Sequence, residues 1–107
     1  MVKGKDKKLI YQTIQRYLFE LEKRNIRVKG AYLFGSYIDG KADEWSDIDV
    51  AILTDSFIGD SFDFKFLLMK IARGIDVDIE PHPFTVDEFT KDNPFAEEIL
   101  RTGEKVA

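Results

Sequence analysis

Between Asp6 and Arg24 the apolar residues Ile10, Ile14, Tyr17, Leu18 and Leu21 recur at helical spacing, which predicts an amphipathic helix. Asn25 is its expected stop, because asparagine tolerates the left-handed conformation. Met1–Lys5 is polar and is expected to fray. Arg27–Phe34 reads as a strand that ends at Gly35. Ser36–Gly40 predicts a short helical turn, and Lys41–Trp45 a polar loop. Ser46–Leu53 is a second strand, followed by a loop over 54–60. Ser61 is the expected cap of a helix over Phe62–Arg73, with Phe66, Met69 and Leu67/Ile71 on its buried side and Gly74 as its stop. Ile75–Glu80 alternates apolar Ile75, Val77 and Ile79 with acidic Asp76, Asp78 and Glu80, which predicts a third strand. Pro81-His82-Pro83 is expected to end it. Thr85-x-x-Glu88 is a capping box for a short helix. Asn93-Pro94 opens a last helix to about Arg101, closed by Gly103. The order is that of one α/β domain around a small sheet, spanning 1–107.

The second strand carries two carboxylates one residue apart. Successive strand side chains face opposite ways, so Asp47 and Asp49 share one face, with Cα atoms about 6.5 Å apart. Carboxylates that close repel unless a cation sits between them. Hard divalent ions such as Mg²⁺ take such oxygen ligands, and a pair of metals held by carboxylates suits phosphoryl and nucleotidyl transfer. A third acid is expected from the third strand. Asp78 is the first choice for its place in the middle of that strand, with Asp76 and Glu80 as alternates on the same face. The bland reading of Asp47 and Asp49 is a solvated sheet edge.

Gly35-Ser36 adds a second element. A glycine turn that opens into a helical segment lets a phosphate approach the backbone, and Ser36 adds a hydroxyl donor. Lys41 is the nearest candidate phosphate contact. Its alternative is an ordinary loop lysine facing solvent. Trp45 could stack on a base or lie over the loop. His82, the only histidine, could touch the nucleotide or a metal, but a structural or exposed role is the favoured reading, and Tyr32 and the phenylalanines at 34, 62, 64 and 66 read as core.

Composition narrows the classes. There is no cysteine, which excludes disulfides and thiolate metal sites. No apolar run is long enough to span a membrane and no export signal opens the chain, so the expected setting is the cytoplasm. The net charge of −4 divides into +6 over residues 1–29 and −10 over 30–107. The acidic body argues against direct nucleic-acid binding. The basic first helix either faces an acidic partner or is simply solvated.

Gly35-Ser36, ten residues, then Asp47-Ile48-Asp49 resembles the signature of the minimal nucleotidyltransferases, small members of the DNA polymerase β-like nucleotidyltransferase superfamily. The resemblance covers about Tyr32–Glu80. It implies a nucleotidyltransferase fold of the α/β (α+β) kind, a small mixed sheet flanked by helices. It also implies transfer of a nucleoside monophosphate, usually AMP from ATP, to a hydroxyl with two Mg²⁺. By motif position Asp47 and Asp49 would bind metal, Asp78 would complete the site and could act as base, and Gly35 and Ser36 would hold the triphosphate. Stand-alone members often pair with a helical HEPN-class RNase toxin, act as its antitoxin, and adenylylate a tyrosine on it. One departure is Asp39, which stands where many relatives carry a basic residue. Rival readings are a binding module that neutralises its partner by contact, a nucleotidyltransferase acting on a small molecule such as an aminoglycoside, and a glycosyltransferase, which needs a larger fold. The oligomeric state is left open, a homo-oligomer included.

Overall fold

A computed structural model describes residues 6–107, so the expected fraying of Met1–Lys5 lies outside the described residues. The elements run α1 (Lys7–Lys23), β1 (Gly30–Phe34), α2 (Ser36–Asp39), β2 (Ile48–Thr54), α3 (Ser61–Arg73), β3 (Ile79–Thr85), a 3₁₀ turn (Val86–Glu88), α4 (Pro94–Thr102) and β4 (Glu104–Lys105). The sheet order is β3-β2-β1-β4. β1 pairs antiparallel with β2 and with β4, while β2 and β3 run parallel. The sheet is therefore mixed and flanked by helices, the expected α/β architecture.

The central strand β2 is apolar on both faces, as a strand sandwiched between layers must be. Ile48, Val50 and Ile52 pack with Ala31 and Leu33 under α1 and α3, which contribute Ile10, Ile14, Tyr17, Leu21, Phe64 and Leu68. Ala51 and Leu53 face the other way, against Ala96 and Ile99 of α4 and the rings of Phe84 and Phe89. The buried residues of α1 include the five apolar positions expected from its periodicity. Tyr17 is fully buried and its hydroxyl donates to the Leu68 carbonyl at 2.8 Å, tying α1 to α3. Burial pushes its phenol above the ordinary tyrosine range. Tyr17→Phe should cost about 1 kcal/mol. A melting temperature about 5 °C lower, read by calorimetry, would register that loss.

Local stops hold where side-chain chemistry sets them. Asn25 takes the left-handed conformation (φ 63°) just after α1. Thr85 and Glu88 form the reciprocal capping box. The Asn93 side chain accepts from the Phe95 and Ala96 N–H groups ahead of Pro94.

Five expectations are corrected. The strand expected over Ile75–Glu80 lies instead at Ile79–Thr85, and 74–78 is a turn in which Asp76 Oδ1 accepts from the Asp78 N–H at 2.8 Å. Val77 is 78% exposed, although Ile75 and Ile79 on either side of it pack against the core. Pro81-His82-Pro83 does not end the strand but lies inside it. β3 is an edge strand, where a residue without an N–H is tolerated on the unpaired side. Helix α3 buries Ile71 as expected and half-buries Leu67, but its face is turned so that Phe64, Leu68 and Ala72 are buried and Phe62 and Phe66 are exposed. Its cap is Asp60, whose carboxylate accepts from the Asp63 N–H at 2.8 Å, rather than Ser61. Finally, the first two strands are shorter at their start than the pattern implied, beginning at Gly30 and Ile48.

Candidate active site

The chemistry gathers where β1 ends and β2 begins, on the α4 face of the sheet. Asp49 is held at the start of β2 opposite Phe34, the last residue of β1. Gly35 follows at once with φ 81° and ψ −147°, a conformation side-chain-bearing residues rarely adopt. A Cβ built on Gly35 would lie 2.4 Å from Asp49 Oδ2. The glycine is therefore required twice, by its backbone angles and by the carboxylate packed against it. The Gly35 carbonyl accepts from the Ile38 and Asp39 N–H groups, which winds Ser36–Asp39 into a single helical turn beside Asp49. Gly40, left-handed at φ 81°, ends that turn. Asp39 Oδ1 accepts from the Lys41 N–H at 3.1 Å, so this acidic residue braces the loop that follows.

The loop is closed by its own polar groups. Asp43 Oδ1 accepts from the Trp45 N–H at 2.8 Å, and Ser46 Oγ accepts from the Asp43 N–H at 2.9 Å. Such Asx and Ser turns are a usual way to shape a connection. They deliver the chain to Asp47 with the Trp45 ring 82% exposed.

The parallel ladder sets the third carboxylate. Ile48 pairs with Ile79 and Asp49 with Glu80, so Glu80 stands directly beside Asp49 on the same face. Asp78 lies one residue ahead of β3, in the turn, not in mid-strand as expected. Its carbonyl accepts from the Ile48 N–H at 2.7 Å, which puts it level with Asp47. Asp47 itself is exposed. Desolvation, then the like charges of Asp49, Glu80 and Asp78, push its carboxyl above the ordinary carboxylate range, and His82 pulls the other way. Asp76, the remaining alternate, is turned to the Asp78 N–H.

His82, for which a site role is only the lesser expectation, lies in the site. Its Nε2 lies 3.1 Å from Asp49 Oδ1, with side chains 21% and 24% exposed. Ring edges hold it in place: Phe34 at 5.0 Å between centroids and Phe95 at 5.8 Å. The flanking prolines looked like a strand end, which concealed it. The available signal was the period: counted in steps of two from Glu80, His82 falls on the acidic face. Glu80 in turn has Lys65 Nζ at 3.6 Å. Lys41 lies in the loop beyond α2 and is exposed.

Among the described residues, no three His, Asp or Glu side chains close around one point tightly enough to form a ready coordination shell. The donor chemistry nevertheless suits a hard divalent ion, since every acid is an oxygen ligand and their mutual repulsion is what such an ion relieves. Asp47→Asn removes part of that repulsion and should slightly raise the melting temperature of the metal-free protein at neutral pH. Because the folded-state carboxyl sits above its unfolded value, the wild type loses stability as pH rises through it. The advantage of the variant should therefore shrink as pH falls toward 4, and shrink also in high salt. Thermal melts across pH and ionic strength read both trends.

A family model described as polymerase β, nucleotidyltransferase matches residues 7–107. No curated protein matches the chain. Solved structures share its fold. One is a toxin–antitoxin complex with AMP-PNP, 24% identical over 87% of this chain and 72% of that one, with a TM-score of 0.62. Another is the toxin–antitoxin MntA-HepT, 20% identical over 94% and 72% of the two chains, with a TM-score of 0.59. A third comes from Shewanella oneidensis, 18% identical over 95% and 72%, with a TM-score of 0.60. With residues 7–107 covered by that model, a mixed four-stranded sheet, and a Gly-Ser turn packed on an Asp-x-Asp strand, the chain belongs to the polymerase β nucleotidyltransferases.

Proposed function

We propose that this domain transfers AMP from ATP, with Mg²⁺, to a hydroxyl on a partner protein, as the antitoxin of a HEPN-type toxin–antitoxin pair in the cytoplasm. The observation that carries the reading is the contact between Gly35 and Asp49. It packs a positive-φ glycine turn against a carboxylate, with three further acids within electrostatic reach. Family membership supports the reaction class. The toxin–antitoxin neighbours, one with AMP-PNP, support a nucleotide and a protein partner.

Asp47 and Asp49 would hold the two metal ions. Glu80, beside Asp49 in the ladder, is the better third ligand, and Asp78, level with Asp47, the alternate. Mg²⁺ bound there would neutralise charge along the triphosphate and would make the attacking hydroxyl more acidic. Gly35 and Ser36 would position the phosphates, with Lys41 in the following loop as the candidate cationic contact. The acceptor oxygen forms a bond to the α-phosphorus, the bond from that phosphorus to the αβ bridging oxygen breaks, and pyrophosphate leaves. The hydroxyl proton passes to one of the site carboxylates, Asp78 or Glu80. Asp49, held at Oδ1 by His82, keeps Oδ2 toward the Gly35 turn, so one carboxylate both faces the phosphates and stays oriented.

Labelled ATP, Mg²⁺ and a candidate helical partner protein, mixed with wild type or Asp49→Asn, test the reading. Label on the partner with wild type alone supports it. Neutralisation of the partner without label, unchanged in Asp49→Asn, supports a binding module instead. That second reading draws on the same structure: Asp39 adds an acid beside the phosphate turn, and the carboxylates are turned to His82 and Lys65 rather than around one centre.

A further inference from the structure

Helix α3 carries two large aromatic residues that the fold does not bury, Phe62 at 85% and Phe66 at 68% exposure. The first of them borders a cleft of about 320 Å³ along the outer edge of β3. Its walls are Phe62, Pro83, Phe84 and Phe95, and its polar groups are those of Ser61, Lys65 and His82. Phe95 is itself 43% exposed while packing edge-on against Phe84 at 5.5 Å. The volume falls at the small end of the range for small-molecule sites. The lining is mostly ring faces and proline, the kind of surface on which a planar heteroaromatic group stacks.

Position decides what that group is. His82 lines the cleft and also touches Asp49, and Asp49 touches the Gly35 turn. The cleft beside the second half of β3, the acids at the head of β2 and the Gly35 turn at the end of β1 thus follow one another across three adjacent strands. A nucleoside triphosphate has the same order, with base at one end, sugar and α-phosphate between, and terminal phosphates at the other. Lys65 reaches Glu80 from the cleft side, so its cation lies between the aromatic walls and the acids.

We propose that this cleft receives the purine base of the donor nucleotide, stacked on Phe62 and Phe95. The proposal rests on the reading of Asp49 and Gly35 as the phosphate and metal end of a nucleotide site. With few hydrogen-bonding groups in the walls, the cleft holds a base by its faces and discriminates weakly, so ATP and GTP should bind within a few-fold of each other.

The test compares ATP with inorganic tripolyphosphate, which has the phosphates but no base, each with Mg²⁺, by calorimetry. Phe62→Ala is the informative variant, because that ring is exposed and its removal leaves the core intact. The expected result is ATP affinity about tenfold lower in Phe62→Ala with tripolyphosphate affinity unchanged. A far-UV spectrum and melting temperature like those of wild type confirm that folding is intact. Phe95→Leu, which keeps the packing against Phe84, should weaken ATP in the same selective way. If Phe62→Ala and Phe95→Leu leave ATP binding as it was, or lower both ligands equally, the base lies elsewhere and the proposal is overturned. The same holds if Trp45→Ala alone weakens ATP, since the base would then stack on the loop. If the wild type binds neither ligand, the nucleotide site itself is wrong, and this proposal goes with it.

Discussion

Gly35→Ala should lose at least a hundredfold in nucleotidyl transfer and also destabilise the protein. Two independent costs meet at that position. The backbone angles of φ 81° and ψ −147° would strain any other residue by about 1–3 kcal/mol. The new methyl would also lie 2.4 Å from Asp49 Oδ2, a distance no real pair of atoms sustains, so the carboxylate or the strand must move. Movement of Asp49 breaks its 3.1 Å contact with His82 and shifts the acid that faces the Gly35 turn. Misplacement of a catalytic group by about 1 Å suffices for a hundredfold loss. The two costs can be told apart, because Gly40→Ala meets no atom within 4 Å and pays only for a positive φ. Gly40→Ala should therefore lower stability while leaving most of the transfer rate. Melting curves and labelled-ATP transfer rates on the two variants separate strain from collision.

Asp49→Asn should leave the fold intact and reduce transfer by about a thousandfold, equivalent to ~4 kcal/mol of lost transition-state stabilisation. The substitution keeps the shape of a side chain only 24% exposed and keeps a partner for His82, since an amide can bond to either imidazole tautomer. It removes the charge that a divalent ion requires. Its melting temperature should stay within about 2 °C of wild type, because relief of repulsion among the acids offsets the altered contact to His82. A large drop in melting temperature would instead mean that Asp49 is chiefly a structural residue. Single-turnover rates with the partner protein, read beside the melting temperature, decide between the two.

Much of this site is legible in the sequence where one short-range rule governs. The Gly35-Ser36 turn, the left-handed Asn25, the Thr85–Glu88 box and the Asn93-Pro94 start each depend on residues within four positions of one another, and each forms as its local chemistry demands. The apolar stripe of α1 is equally plain, because polar residues border it on both sides. Helix α3 hides its face because Ser61–Arg73 is apolar almost all round; Phe62, Phe64, Phe66, Leu67, Leu68 and Met69 offer no single stripe, and the neighbouring sheet chooses Phe64 and Leu68. The third strand misled for a related reason. The Ile75–Glu80 alternation has the period of a strand but no neighbour to pair with until Ile79 meets Ile48. Only the sheet order, which places β3 at an edge, makes Pro81 and Pro83 acceptable within it, and that order is a long-range property. The same shift brings Glu80 rather than Asp78 beside Asp49, and brings His82 into the site. β4, two charged residues paired with Tyr32 and Leu33, has no local signal at all.

The basic α1 has a partial explanation within the chain. Lys7 lies 2.6 Å from Glu104, and Tyr11 donates to the same carboxylate, so part of its charge fastens the C-terminal segment to the first helix. Among the described residues, no helix is long and apolar enough to cross a membrane.

Calorimetric titration of ATP into the protein, with Mg²⁺ or with EDTA, tests most directly whether the acids at the head of β2 serve a metal-bound nucleotide. Wild type should bind ATP with Mg²⁺ and only feebly without it, and Asp49→Asn should behave with Mg²⁺ as wild type does in EDTA. Equal ATP affinity in all three conditions, or none in any, would contradict the account.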